Sequence, residues 1–117
     1  MTKVTSKEYK LFKDYHSKWC DKLGIKNWSI HYSFEHLDDN YAQTYMDTDG
    51  MVSSTTLSDY WDDTRPMTNA AINRLALHEA LHLLIRPLTS QAESRYTTQD
   101  NILSIEHSII RQLENIF

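Results

Sequence analysis

The sequence has little of the residues that build linkers, fibrous repeats or cross-linked domains. Gly and Pro occur only twice each among 117 residues, which excludes collagen-like and low-complexity classes. The single cysteine, Cys20, cannot form a disulfide within the chain. No apolar run approaches the roughly 18–20 residues that a membrane-spanning helix requires. The length predicts one globular domain over residues 1–117 and no membrane partner.

Positive charge is scarce after the first 26 residues. Seven lysines lie in residues 1–26, whereas residues 27–64 hold eight acidic side chains and no Lys or Arg. The net charge is −4, and tight nucleic-acid binding needs a basic face, so we do not expect a nucleic-acid partner. The chain also begins without the apolar stretch of a signal peptide, which makes a cytoplasmic location the expectation.

Hydrophobic periodicity predicts a helix, three strands and two further helices, an α+β order. The first helix begins at Thr5 or Ser6 and ends near Leu23, where Gly24 is a natural stop. Alternating apolar residues predict strands over 28–34, 41–46 and 51–57. The short turns between these strands favour a mainly antiparallel meander.

Two helices are predicted in the second half of the chain. Thr68 caps a helix over 69–85, and Pro87 is expected to stop it. This helix is apolar on almost every side, which is typical of a buried helix. The last helix begins at Thr98 or Asp100 and continues to the end of the chain.

The second predicted helix contains an H-E-x-x-H motif, His78-Glu79-Ala80-Leu81-His82. Residues four apart lie on one face of a helix, so His78 and His82 can direct their ring nitrogens at one point. Imidazole suits Zn²⁺, which makes zinc the expected cofactor. Glu79 lies one position round the helix, where it can act on a water molecule as general base.

A catalytic zinc site needs a third protein ligand. We predict Glu106, which lies 24 residues after His82 and on the expected apolar stripe of the last helix, where an unpaired charge is costly. His107 is the alternative ligand, or else it positions one of the ligands. Glu93 is a more distant option.

The motif segment, residues 77–84, and the segment around Glu106, residues 104–113, resemble zincin metallopeptidases of the gluzincin type. The resemblance extends over most of the chain, including the stretch 23–30, to small single-domain metallopeptidases encoded by phages and prophages. It implies a minimal zincin fold, in which a helix and a short sheet precede the motif helix and a last helix brings the Glu ligand. It also implies peptide-bond hydrolysis, and a host-cytoplasmic location for a phage-encoded chain. Ile85 stands in place of the glycine that the metzincin pattern requires.

If the protein is an enzyme, Glu79 takes the proton of a water molecule that the metal activates and passes it to the leaving amine. An oxyanion donor is also needed, and Tyr60, Tyr96, Arg111 and His107 are the candidates. The strand over 51–57 is expected to be an edge strand that pairs with an extended peptide, the role typical of zincins. The substrate is then a peptide or protein.

Two other functions fit the same residues. The first is a zinc-binding module without catalysis that serves a regulatory or phage–host interaction. The second is a DNA-associated protease of the SprT-like kind, which predicts a histidine as third ligand and a basic surface. His16, His31 and His36 are expected at the surface, and Cys20 is expected to pack rather than react. The oligomeric state and the cleaved sequence do not follow from these patterns.

Overall fold

The structure, a computed structural model, describes residues 2–62, 66–94 and 96–116. These ranges contain eight elements: β1 (Thr2–Lys3), α1 (Ser6–Lys22), β2 (Ser29–Glu35), β3 (Ala42–Asp47), β4 (Val52–Ser58), β5 (Tyr60–Trp61), α2 (Asn69–Glu93) and α3 (Gln99–Glu114). The predicted α+β class is confirmed. None of the helices within these ranges is long and apolar enough to cross a bilayer.

The main sheet is mixed, so the predicted antiparallel meander is wrong. Its order is β2-β4-β3, with β4 parallel to β2 and antiparallel to β3. The connection over 36–41 carries the chain past the position that β4 later fills. β4 is therefore the central strand, and the prediction that 51–57 forms an edge strand is wrong as well. Its small hydroxyl side chains gave no sign of burial, yet Ser53, Thr55 and Ser58 are almost inaccessible to solvent.

A second, two-stranded sheet forms between the start of the chain and the segment that follows β4. β1 pairs antiparallel with β5, which lies in the segment predicted as a polar loop. Val4 donates its backbone N–H to the carbonyl of Asp59, at 2.7 Å. Val4 and Trp61 are both buried beside this pairing, so apolar burial explains why these short segments become strands.

Helix α2 continues eight residues beyond its predicted end because it tolerates Pro87. A proline within a helix removes the N–H that would bond to the carbonyl four residues earlier, here that of Leu83. The indole Nε1 of Trp28 donates to this same carbonyl at 3.2 Å. A side chain from before β2 thus satisfies the acceptor that Pro87 leaves open.

Helix α1 ends and helix α3 begins as predicted, whereas Thr5 precedes α1 without a side-chain cap hydrogen bond. Gly24 follows the end of α1 with φ of 72°, the left-handed conformation that favours glycine at this position. The side chain of Thr98 accepts a hydrogen bond from the backbone of Asn101 at the start of α3. The amide of Gln112 donates to the carbonyls of Leu23 and Gly24 and so fixes α3 to the end of α1.

Two apolar clusters lie between the sheet and the helices. One includes Phe12, Leu57 and Ile72, and the other includes Cys20, Leu83 and Ile109. Between them lies one polar residue from each of five elements, which we call the polar layer: His16, Tyr32, Thr44, Thr55 and Glu79. The sheet register sets three of these side by side, because Thr55 pairs with Tyr32 on one neighbour and with Thr44 on the other.

Candidate metal site on helix α2

The H-E-x-x-H motif lies on α2, as predicted, but its three side chains differ in exposure. His78 and His82 are exposed, and 50% of the His82 side chain is accessible. The Glu79 side chain is only 3% accessible because it points towards the sheet. The expectation that α2 is buried all round is wrong, since its imidazole-bearing side faces solvent.

The three motif residues form one compact group of ligand atoms. One nitrogen from each imidazole and one carboxylate oxygen of Glu79 all lie within 4.8 Å of one another. The two imidazole rings are 4.9 Å apart between centroids. Two imidazoles are donors that divalent zinc accepts, and the carboxylate lies beside them where it can act on a water molecule, so the residues present fit this metal.

Burial and charge set the protonation of the group. Burial raises the pKa of Glu79, while the charge of His78 and the Thr44 hydroxyl act in the opposite direction. The pKa of His82 is lowered, first by burial and then by the charge of His78. A lowered imidazole pKa favours the neutral form, which is the form that binds metals. Glu79 Oε2 lies 4.0 Å from His82 Nε2, within reach of a water molecule between them.

The structure does not bring the predicted third ligand into this group. Glu106 and the alternative His107 are both exposed on α3. The packed side of α3 is formed by Ile105 and Ile109, and Glu106 lies beside that stripe instead of on it. Glu93, at the end of α2, is exposed and lies 3.9 Å from Arg86. The assignment of Glu106 as a ligand stays a prediction.

The proposed oxyanion donors lie apart from the motif. Tyr60 is on β5 and lines a cavity of about 440 Å³ that does not include the motif histidines. Tyr96 is exposed in the connection between α2 and α3, and Arg111 is exposed in the last turn of α3. None of the three is part of the ligand group found among the described residues.

A groove leads from the sheet edge to the motif. It has a volume of about 280 Å³ and lies between the start of β3 and the N-terminal half of α2. Its lining residues are Asn40, Tyr41, Ala42, Arg74, Leu75 and His78. Since β3 is an edge strand, this groove gives an extended chain access to the motif.

Sequence reasoning missed two residues near the motif. Arg74 lines the groove and precedes His78 by four residues, so helical spacing alone could have indicated it. Thr44 faces Glu79 from β3, and nothing in its local sequence distinguishes it from other strand threonines. His16, expected at the surface, is instead fully buried, because its neighbours Phe12 and Cys20 make that side of α1 face the core. His31 and His36 are exposed as predicted.

No protein-family model, curated protein or solved structure matches this chain. The resemblance to gluzincins therefore stays a prediction.

Proposed function

We propose that this protein is a zinc-dependent peptidase, with His78 and His82 as metal ligands and Glu79 as general base. The observation that carries the proposal is the compact ligand group of the motif, with accessible imidazoles and a buried carboxylate. A metal held there would stay open to solvent and substrate on the imidazole side, which a catalytic site requires.

The chemistry divides between the metal and the chain. Bound zinc supplies a Lewis acid that polarises a substrate carbonyl and makes water more acidic. Glu79 accepts the proton of the attacking water and transfers it to the amine of the leaving product. Its raised pKa makes the carboxylate a stronger base for accepting this proton.

The substrate we propose is an extended peptide that pairs with the edge of β3. Edge strands recognise peptides through backbone hydrogen bonds. The groove beside Ala42 would guide such a peptide to His78. Arg74, in the wall of this groove, is placed to bind a carboxylate or the carbonyl oxygen of the substrate, in place of Tyr60, Tyr96 or Arg111.

We further propose that the cleaved peptides are basic. The cavity of about 440 Å³ adjoins the groove, since both are lined by Asn40 and Tyr41. Its wall includes Asp38, Asp39 and Asp62. A positively charged side chain elsewhere on a peptide bound in the groove would be attracted to these carboxylates. In a quenched peptide library, peptides with Lys or Arg should be cleaved faster than matched peptides with Glu.

The decisive experiment replaces the base and leaves the ligands in place. Glu79→Gln should retain zinc, measured by atomic emission after dialysis, and lose cleavage of labelled casein by at least roughly a hundredfold. Glu114→Gln, an exposed change on α3, is the control and should keep both. Undiminished cleavage by Glu79→Gln would overturn the proposal.

The second candidate function is a zinc-binding module without catalysis. It is favoured by one observation, that no side chain of α3 joins the ligand group among the described residues. Zinc binding by the wild type together with no cleavage of any library peptide would support this alternative. Zinc content of Glu106→Ala and His107→Ala then decides the third ligand, because only the variant that lacks a ligand should lose zinc.

A further inference from the structure

The polar layer places a hydroxyl against the inner side of the motif. Thr44 lies on the inward face of β3, and its hydroxyl opposes the pKa increase that burial imposes on Glu79. The alignment is nevertheless incomplete, because neither Thr44 Oγ1 nor Glu79 Oε2 has a hydrogen bond of normal geometry within the described residues. Both atoms are buried, and buried polar atoms are nearly always paired.

Besides these two atoms, the polar layer holds two further buried atoms without a partner among the described residues, Thr55 Oγ1 and His16 Nε2. Apolar side chains of both clusters lie above and below the polar layer, with Ala76 on one side of Glu79 and Leu83 on the other. Thr44 pairs in register with Thr55, which is fully buried and whose hydroxyl also lacks a partner among the described residues. Two hydroxyls in line behind a carboxylate are a suitable donor arrangement: Thr55 can donate to Thr44, and Thr44 to Glu79.

We propose that Thr44, supported by Thr55, is a positioning residue that holds the Glu79 carboxylate in the orientation required for proton transfer. A hydroxyl rotates freely about its Cβ–Oγ bond, so the Thr44 hydroxyl can turn its hydrogen towards the carboxylate. This inference rests on the proposed function for its catalytic consequence but not for the contact itself.

The contact is tested without activity by a double-mutant cycle on the metal-free full-length protein. The variants are Thr44→Val, Glu79→Leu and the double variant, each unfolded in urea. We expect the two changes to be non-additive, with a coupling that alters the unfolding equilibrium constant by at least roughly fivefold. Additive changes would overturn the proposal. Thr56→Val is the control, because Thr56 lies on the opposite face of β4 and its hydroxyl pairs with Ser33 at 2.6 Å. It should not couple with Glu79.

The positioning role is tested on the best-cleaved quenched peptide. Thr44→Val should lower kcat by roughly ten- to a hundredfold while KM and zinc content stay unchanged, and Thr44→Ser should restore most of kcat. Equal kcat in Thr44→Val and the wild type, or no rescue by Thr44→Ser, would overturn the role. If the wild type cleaves no peptide, the proposed function fails. The double-mutant cycle then decides by itself whether Thr44 holds Glu79.

Discussion

Helices α1 and α2 each carry a histidine with a second metal-binding type of side chain four residues later. On α1 these are His16 and Cys20, with 3.7 Å between Nδ1 and Sγ. On α2 they are His78 and His82, with ring centroids 4.9 Å apart. The spacing is the same, but the α1 pair is buried in the core and the α2 pair faces solvent.

The two pairs therefore differ in burial and not in spacing. Burial lowers the pKa of His16 to about 4 and raises the pKa of Cys20 to about 12, so both side chains stay neutral near pH 7. His16 Nδ1 is paired with the hydroxyl of Tyr32 at 2.8 Å. The α1 pair therefore packs the core, whereas the α2 pair is free to take a metal.

The largest expected effect is the loss of zinc affinity when the α2 pair is broken. His78→Ala and His82→Ala should each weaken zinc binding by more than roughly a hundredfold, since each removes a proposed metal ligand. Isothermal titration calorimetry measures this. Cys20→Ser, the matched change on α1, should leave the zinc affinity unchanged. A large loss in Cys20→Ser would contradict the comparison.

The stability of the fold, in contrast, should depend on the α1 pair and not on the α2 pair. His16→Ala should lower the free energy of unfolding by about 3 kcal/mol, because it leaves a cavity and an unpaired Tyr32 hydroxyl in the core. His78→Ala, at an exposed position, should change it by less than about 0.5 kcal/mol. Urea denaturation of the metal-free proteins compares the two. Similar losses in both variants would show that the α2 pair is also structural.

A pH titration of stability should separate the pairs as well. The pKa of His16 is about 4 when folded and near its ordinary value of 6.5 when unfolded, so the unfolded chain binds more protons between these values. The free energy of unfolding therefore has its full value above pH 6.5 and decreases by about 2–3 kcal/mol as the pH falls towards 4. The slope should be clearly shallower in His16→Gln, and an equal slope would contradict the assignment.

The smallest expected effect is an increase in stability when Glu79 is replaced. Burial raises the pKa of Glu79, so the ionised carboxylate opposes folding at pH values above its ordinary pKa of 4.5. Glu79→Gln should therefore stabilise the metal-free protein at pH 7, by on the order of 1 kcal/mol. Thermal unfolding without zinc is the measurement. A decrease in stability would mean that Glu79 serves the fold, like His16.

The sequence predicted the elements that depend on local periodicity and missed those that depend on tertiary contacts. The three helices and the strands of the main sheet were found, together with the stop at Gly24 and the cap at Thr98. The strand order was not predicted, because the alternation of apolar and polar residues within a strand does not indicate which strand lies beside it. The continuation of α2 past Pro87 was also missed, because the carbonyl of Leu83 finds its donor in Trp28, which is distant in sequence.

The site was predicted to a similar extent. The motif spacing placed His78 and His82 together, because helical geometry alone decides that. It did not indicate that the imidazoles are exposed and the carboxylate buried, since this follows from where β3 packs on α2. The position of Glu106 depends on the rotation of α3, which its apolar stripe defines too loosely to aim one side chain.

The most direct test of the account follows the ring nitrogens of all six histidines by NMR during zinc titration of the full-length protein. We predict that one equivalent of zinc shifts the nitrogen resonances of His78 and His82 and leaves those of His16, His31 and His36 unchanged. Unshifted His78 and His82 resonances at saturating zinc would contradict the central claim that the accessible pair on α2 binds the metal.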